Sequence, residues 1–296
     1  MTVLALEIGP SRFAATRVAD DVGTEDIRQI PIPASGAWDR CREILLDAAE
    51  GSTVTALGIA SAGPIDMVAG VVAPMEVAEW RTGFAIVEAA QKLFPEASIH
   101  LALDGVCLGL AERNFGALSN VADGLAITVS ERIAGGVVVG GFTVVGRTGN
   151  GGHVGHVLVS GFDDRCVCGG RGCLEAVAGG ASAVRWARAQ GWEGASVTEL
   201  VKAAQVGESV PAAALDRAGT ALGRAVASVA ALLDLDVVVL GGSIAEAGPV
   251  LWKPLGEAVA THARLSFLPG LRVVPSQLGD FGLLAGAGVL AVAARA

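Results

Sequence analysis

The sequence predicts an α/β protein built twice on one strand–helix plan, with a cleft between the two copies. Three observations carry that expectation. Hydrophobic residues make up 52% of the 296-residue chain and charged residues only 17%, so there is apolar material for a large core and too little charge for a disordered chain. Short buried strands alternate with stretches of helical spacing along the whole length. Finally, Leu4–Val18 can be laid over Leu125–Val139, with Leu4 on Leu125, Leu6 on Ile127, Ile8 on Val129 and Val18 on Val139. That internal echo suggests a repeated hairpin.

The elements follow in order. Val3–Ile8 reads as a buried strand that turns at Gly9-Pro10 and returns through Phe13 to Val18. Trp38–Glu50 has helical spacing, Thr55–Ala60 is a strand ending at Ser61-Ala-Gly-Pro-Ile-Asp66, and Phe84–Phe94 is a helix. Ile99–Leu103 is a strand, and Asp104–Phe115 is a helix that begins at its carboxyl end. The plan then restarts with strands Leu125–Val129 and Gly135–Val139. Helices are expected over Ala181–Gln190, Val197–Ala204 and Ala212–Leu233. Val237–Leu240 is a short strand running into Gly241-Gly242, a helix starts at Pro249, Arg272–Val274 is a strand and Gly282–Ala294 the last helix. No linker rich in Pro, Ser or charge divides the chain. The expected division is an N-terminal lobe over 1–116, a C-terminal lobe over 117–281, and a final helix over 282–296 packing back on the first lobe.

Charge and apolar runs exclude several function classes. A net charge of −9 without any basic run argues against direct nucleic-acid contact, which needs clustered Lys and Arg. The opening apolar stretch is too short for a signal peptide, and no apolar run reaches the ~18 residues of a membrane span. The chain is therefore expected to be cytoplasmic, where its five cysteines bind metal or stay reduced. Cys41 and Cys107 stand alone in expected helices and read as small buried hydrophobes.

The other three cysteines form a metal signature. Residues 153–175 hold His156, Cys166, Cys168 and Cys173 around the spacer Gly169-Gly-Arg-Gly172. Three thiolates and an imidazole make a closed tetrahedral set, the ligation of a structural zinc ion with no position open for chemistry. Two cysteines one residue apart reach the same ion from a tight turn, and the glycines let the backbone fold back for the third. His153 is the weaker candidate by spacing. The plain alternative is a set of reduced cysteines in a glycine loop.

The run Gly155-His156 … Cys166-x-Cys168-Gly169-x-x-Gly172-Cys173-Leu174-Glu175 resembles the signature of the ROK family of repressors, open reading frames and kinases. Other landmarks fall in that family's order: Gly63-Pro64-Ile65-Asp66, Ala73-Pro74 with Trp80 downstream, Leu103-Asp104, Gly241-Gly242 and Gly286-Ala287. The resemblance covers essentially the whole chain. It implies the actin-like, ribonuclease H-like two-lobed sugar-kinase fold, Mg2+ and ATP as co-reactants, a small-molecule sugar ligand and a homodimer. It places Asp104 as the base that takes the proton of the attacking hydroxyl, a role phosphoryl transfer calls for. Plain helix capping is the alternative for this residue. The resemblance also implies that His156 and Glu175 hydrogen-bond sugar hydroxyls, although His156 serves zinc and Glu175 could simply start a helix. It assigns Glu7, Gly9, Ser11, Ser130, Arg132, Gly241 and Gly242 to the nucleotide.

The departures are as informative as the matches. Met75 and Leu103 stand where the family has Asn, and His153 where it has Glu, so three hydroxyl partners are missing. Each missing partner is worth ~1–3 kcal/mol; His153 could instead recognise a different, acidic ligand. In the first phosphate loop, Glu7-Ile8-Gly9-Pro10-Ser11, Pro10 removes an N–H donor. In the second, Ser130-Glu131-Arg132-Ile133-Ala134 replaces two or three glycines and brings in a carboxylate. On the sequence alone the first reading is a weakly active or inactive relative with a ligand-binding cleft. An active ATP-dependent hexose or amino-sugar kinase is second. A sugar-responsive regulator without its own DNA-binding domain is third, since the first strand begins within a few residues of Met1.

Overall fold

The computed structural model describes residues 2–18 and 26–293. Along the chain the first elements are β1 (Thr2–Ile8), β2 (Arg12–Arg17), β3 (Arg28–Pro31), α1 (Ala37–Ala49), β4 (Val54–Ser61), β5 (Ile65–Asp66) and β6 (Val71–Val72). Then come α2 (Ile86–Leu93), β7 (Ser98–Leu103), α3 (Asp104–Phe115), β8 (Gly124–Val129), β9 (Ile133–Val139) and β10 (Phe142–Thr143). The last are α4 (Leu174–Ala178), α5 (Gly180–Ala189), α6 (Val197–Gln205), α7 (Ser209–Leu233), β11 (Val237–Gly241), α8 (Pro249–His262), β12 (Arg272–Pro275) and α9 (Gly282–Ala293).

These elements form two compact units. The first takes Met1–Asn114, Thr143–Gly152 and Phe281–Ala296; the second takes Phe115–Phe142 and His153–Asp280. In the first unit the sheet order is β3-β2-β1-β4-β7. β1 pairs antiparallel with β2 and parallel with β4, and β4 pairs parallel with β7. Central strands covered on both faces need continuous apolar runs, and every residue of β1 is buried. Helix α9 lies so close to β4 that a Cβ on Gly58 would sit 1.9 Å from the Ala287 carbonyl oxygen. Trp80 stacks between Phe13 and Phe84, with ring centroids 5.5 and 4.6 Å away.

The second unit repeats the order as β10-β9-β8-β11-β12, and its β8–β9 hairpin, like β1–β2, is antiparallel while β8–β11–β12, like β1–β4–β7, run parallel. The duplication read from the sequence is therefore present, with one correction. Ile8 pairs with Phe13 across four turn residues, whereas Val129 pairs with Ile133 across three. The shorter second turn shifts the return strand by one position. Val18, whose N–H bonds to the Val3 carbonyl, thus corresponds to buried Val138, paired with Gly124, and not to exposed Val139.

Two further features differ from the sequence boundaries. Thr143–Gly152 belongs to the first unit because Asn150 bonds the backbone of Ile65 twice, accepting from its N–H at 2.9 Å and donating to its carbonyl at 2.7 Å. A short helix, α4, starts directly after Cys173. The end of the last helix at Ala294 lies outside the described residues. Among those residues, no helix is long and apolar enough to cross a membrane.

Candidate active site and metal centre

The candidate metal centre is built by a loop folded twice on itself. A bridge between Leu158 and Cys173 closes its base, and one between Arg165 and Arg171 closes its tip. Cys166 N–H donates to the Gly170 carbonyl at 2.9 Å, and Gly169 N–H returns to the Cys166 carbonyl at 3.0 Å. Gly169 and Gly172 take φ of 90° and 73°, values that a side chain resists. The result brings one donor atom each from His156, Cys166, Cys168 and Cys173 within 4.8 Å of one another. Cys166 Sγ lies 3.8 Å from His156 Nδ1, and Cys168 Sγ 3.8 Å from Cys173 Sγ. Tetrahedral zinc with bonds of about 2.0–2.3 Å sets ligand atoms about 3.5–3.8 Å apart. The residues fit the ion, and a complete Cys3His set leaves no place for water. His153 stands outside the set, its ring centroid 5.8 Å from that of His156. The Gly170 N–H lowers the pKa of the Cys168 thiol, while burial raises that of Cys166 and pushes that of Cys173 up to about 12.

Two arginines of α7 hold the loop. Arg217 bonds Asp164 at 2.9 Å, with its guanidinium over the rings of Phe162 and Trp186, 5.3 and 4.8 Å from their centroids. Arg224 bonds the Ser160 carbonyl at 2.6 Å.

In the second unit the loop leads straight into the candidate phosphate turn. Glu175, 5% exposed, accepts from the Ile133 N–H at 2.8 Å through Oε2, and its Oε1 lies 3.7 Å from Arg132 Nη1. Gly242, at φ 89°, packs on the Val129 backbone, and the Ser243 N–H donates to Ser130 Oγ at 3.2 Å. Ser130, Arg132, Gly241 and Gly242 are thereby gathered at one end of β8 and β11. Both histidines are held below the usual imidazole pKa by burial. The Arg132 charge adds to this at His156, and His156 adds to it at His153. The Ile133 N–H and Ser243 had no signal in the sequence, since their partners are 42 and 113 residues away.

In the first unit, Asp104 is the first residue of α3, at the carboxyl end of β7. It is partly exposed, and its Oδ1 accepts from the adjacent Gly105 N–H at 2.6 Å. Desolvation raises its carboxyl to about 7; the Gly105 bond opposes that shift and the charge of Glu76 adds to it. The Cys107 thiol is raised by burial and then by the charges of Asp104 and Glu7. Glu7 is buried on β1, against the turn where Gly9 N–H bonds the Arg12 carbonyl at 3.0 Å; a Cβ on Gly9 would lie 2.9 Å from Glu7 Oε1. Ser11 is exposed at the same turn.

A family model described as the ROK family matches residues 3–294. The chain belongs to the ROK family. Among ROK relatives, a glucokinase from Thermotoga maritima is 30% identical over 98% of this chain and 97% of its own length. A kanosamine kinase from Amycolatopsis mediterranei is 36% identical over 81% of this chain and 78% of its own. The crystal structure of a ROK hexokinase from Thermus thermophilus superposes with a TM-score of 0.83, at 29% identity and full coverage of both chains. The fold is thus the actin-like α/β fold of ROK sugar kinases, with a Cys3His cluster that fits zinc.

Proposed function

We propose that this ROK protein is an ATP-dependent kinase of a hexose or amino sugar, with Asp104 as its base. The observation that carries the reading is the place of the Asp104 carboxyl, at the head of α3 directly after β7, where burial raises it to about 7. A base with a pKa near the working pH accepts a proton as the nucleophile attacks and still stays largely ionised above it. The full-length likeness to a glucokinase and the likeness to an amino-sugar kinase support the same reading.

In the proposed reaction the sugar hydroxyl gives its proton to Asp104 while its oxygen bonds the γ-phosphorus, and the bond to the β–γ bridging oxygen breaks to release ADP. Mg2+ would neutralise charge on the phosphates. Glu7, Gly9 and Ser11 at the first turn, and Ser130, Arg132, Gly241 and Gly242 at the second, are the proposed nucleotide contacts. His153, His156 and Glu175 are the proposed sugar contacts. Zinc, held by His156, Cys166, Cys168 and Cys173, would fix loop shape. A cytoplasmic homodimer belongs to this proposal; direct nucleic-acid contact does not.

The second reading is a ligand-binding relative without phosphotransfer. It is favoured by Pro10 in the first turn and by the Glu131 and Arg132 side chains in the second. Calorimetric titration of Mg-ATP into zinc-loaded protein decides between the two. Saturable binding followed by sugar-dependent ADP release is the expected result; no binding up to millimolar nucleotide overturns the kinase reading and leaves the second.

A further inference from the structure

The segment from Cys173 to Ala181 touches the turn Ser130–Arg132 at two points and Ile133, the residue that follows it, at a third. The Glu175 carboxylate accepts from the Ile133 N–H at 2.8 Å. The Gly180 N–H donates to the Ser130 carbonyl at 2.8 Å, and the Ala181 N–H donates to the Glu131 carbonyl at 3.1 Å. The fit is tight: a Cβ on Gly180 would lie 2.2 Å from Ser130 O, and one on Gly155 would lie 3.3 Å from Ile133 Cβ and 3.5 Å from Glu175 Oε2. Glu175 also sits 3.7 Å from the Arg132 guanidinium. A turn made of Ser, Glu and Arg lacks the glycines that would let it mould itself around a phosphate, so its shape must be imposed from outside.

We infer that Glu175 is a positioning residue for the turn Ser130–Arg132, and that the metal loop sets the shape of that turn through it. Glu175 is two residues beyond the ligand Cys173. Between them, Leu174 N–H bonds the Val157 carbonyl at 2.9 Å, next to the ligand His156. Both chain ends that enter the metal cluster therefore meet at the base of the residue that holds the turn. A buried carboxylate spent on a backbone N–H is a strong, directional constraint. As a route to nucleotide affinity the inference rests on the kinase reading; as a statement about the turn it does not.

The test is amide hydrogen exchange across residues 125–137 of the zinc-loaded protein, together with KM for Mg-ATP and for the accepted sugar. Glu175→Ala should speed exchange at Ile133 about tenfold or more, since its acceptor is gone. Glu175→Asp, which keeps the charge but withdraws it by one carbon, should do the same and covers the case in which the alanine variant does not fold. Glu175→Gln, whose amide oxygen still accepts, should restore protection. KM for Mg-ATP should rise about tenfold in the alanine or aspartate variant, and this rise is the readout of the turn whatever happens to the sugar KM. Chelation of zinc from the wild type should speed exchange over the same residues, outside the metal loop. Unchanged Ile133 exchange in the alanine and aspartate variants overturns the inference, and faster exchange with an unchanged KM for Mg-ATP overturns its extension to nucleotide affinity. Unchanged exchange after zinc removal overturns the link to the metal. Altered exchange in a protein that binds no Mg-ATP supports the inference about the turn and overturns the kinase reading.

Discussion

Gly286 of α9 lies flat against Cys107 of α3: a Cβ at Gly286 would sit 1.8 Å from the Cys107 carbonyl oxygen. Asp104 begins the same helix one turn earlier, so the contact fixes the helix that presents it. Gly286→Ala must push the two backbones apart and is expected to cost about 3 kcal/mol or more, at the upper end of overpacking. Urea unfolding checks the stability. An unchanged midpoint would mean that α9 shifts freely, contrary to its close approach to β4.

Asp104→Asn should reduce phosphotransfer about 10²–10⁴-fold, the range of a general base, while ligand binding persists. An unchanged rate in a coupled ADP-release assay would remove Asp104 from the mechanism.

The raised Asp104 carboxyl gives the rate a pH signature. The working form is ionised, so kcat/KM should fall about tenfold per unit below a pKa of about 7 and level off above it. Stability runs the other way. In the folded state Asp104 holds its proton up to about 7, whereas unfolded it releases it near its ordinary value of 3.8. The stabilisation is complete below 3.8 and is lost as pH rises through about 7. Asp104→Asn should abolish that slope in a series of melts at different pH values, and a retained slope would assign it to another group.

Zinc removal should lower Tm by on the order of 10 °C, the shift that ~4 kcal/mol gives in a chain of this size. Because burial raises the Cys166 and Cys173 thiols, metal binding must release protons, and zinc should be lost progressively as the solution is acidified. Metal analysis after dialysis at stepped pH, with melts alongside, checks both; full folding without metal would deny it a structural role.

Arg217→Ala removes the bond to Asp164 and the contacts over Phe162 and Trp186. A loss of about 1–2 kcal/mol is expected, with faster zinc exchange from the loop that Arg217 clamps. Chelator competition kinetics against wild type would show it.

Much of this was legible because its signals are local. Buried runs such as Val3–Ile8 and Val237–Leu240 announce central strands, and Asp104–Phe115 was read to both ends. The Cys3His cluster that fits zinc follows from spacing within one loop. What stayed hidden depends on distant partners or on very short elements. β3 alternates half-buried and exposed positions at a sheet edge, and β5, β6 and β10 have two residues each. The docking of Thr143–Gly152 hangs on Asn150 meeting Ile65, 85 residues earlier. The Glu175 carboxylate faces an N–H that any residue but proline would supply, so no residue type could announce it. Of the candidate site, the cysteine spacing and the family resemblance named the groups, and only the fold shows which of them hold one another.

The first unit is sewn from three stretches of chain, and its last piece, α9, follows the whole of the second unit in sequence. Until that helix emerges from the ribosome, the face of β1 and β4 beneath Ala287 and Ala291 has no cover. The second unit, by contrast, is complete in sequence by Asp280. Synthesis therefore runs against the usual order in which amino-terminal domains finish first: the first unit stays open along that apolar face until the whole of the second has been made.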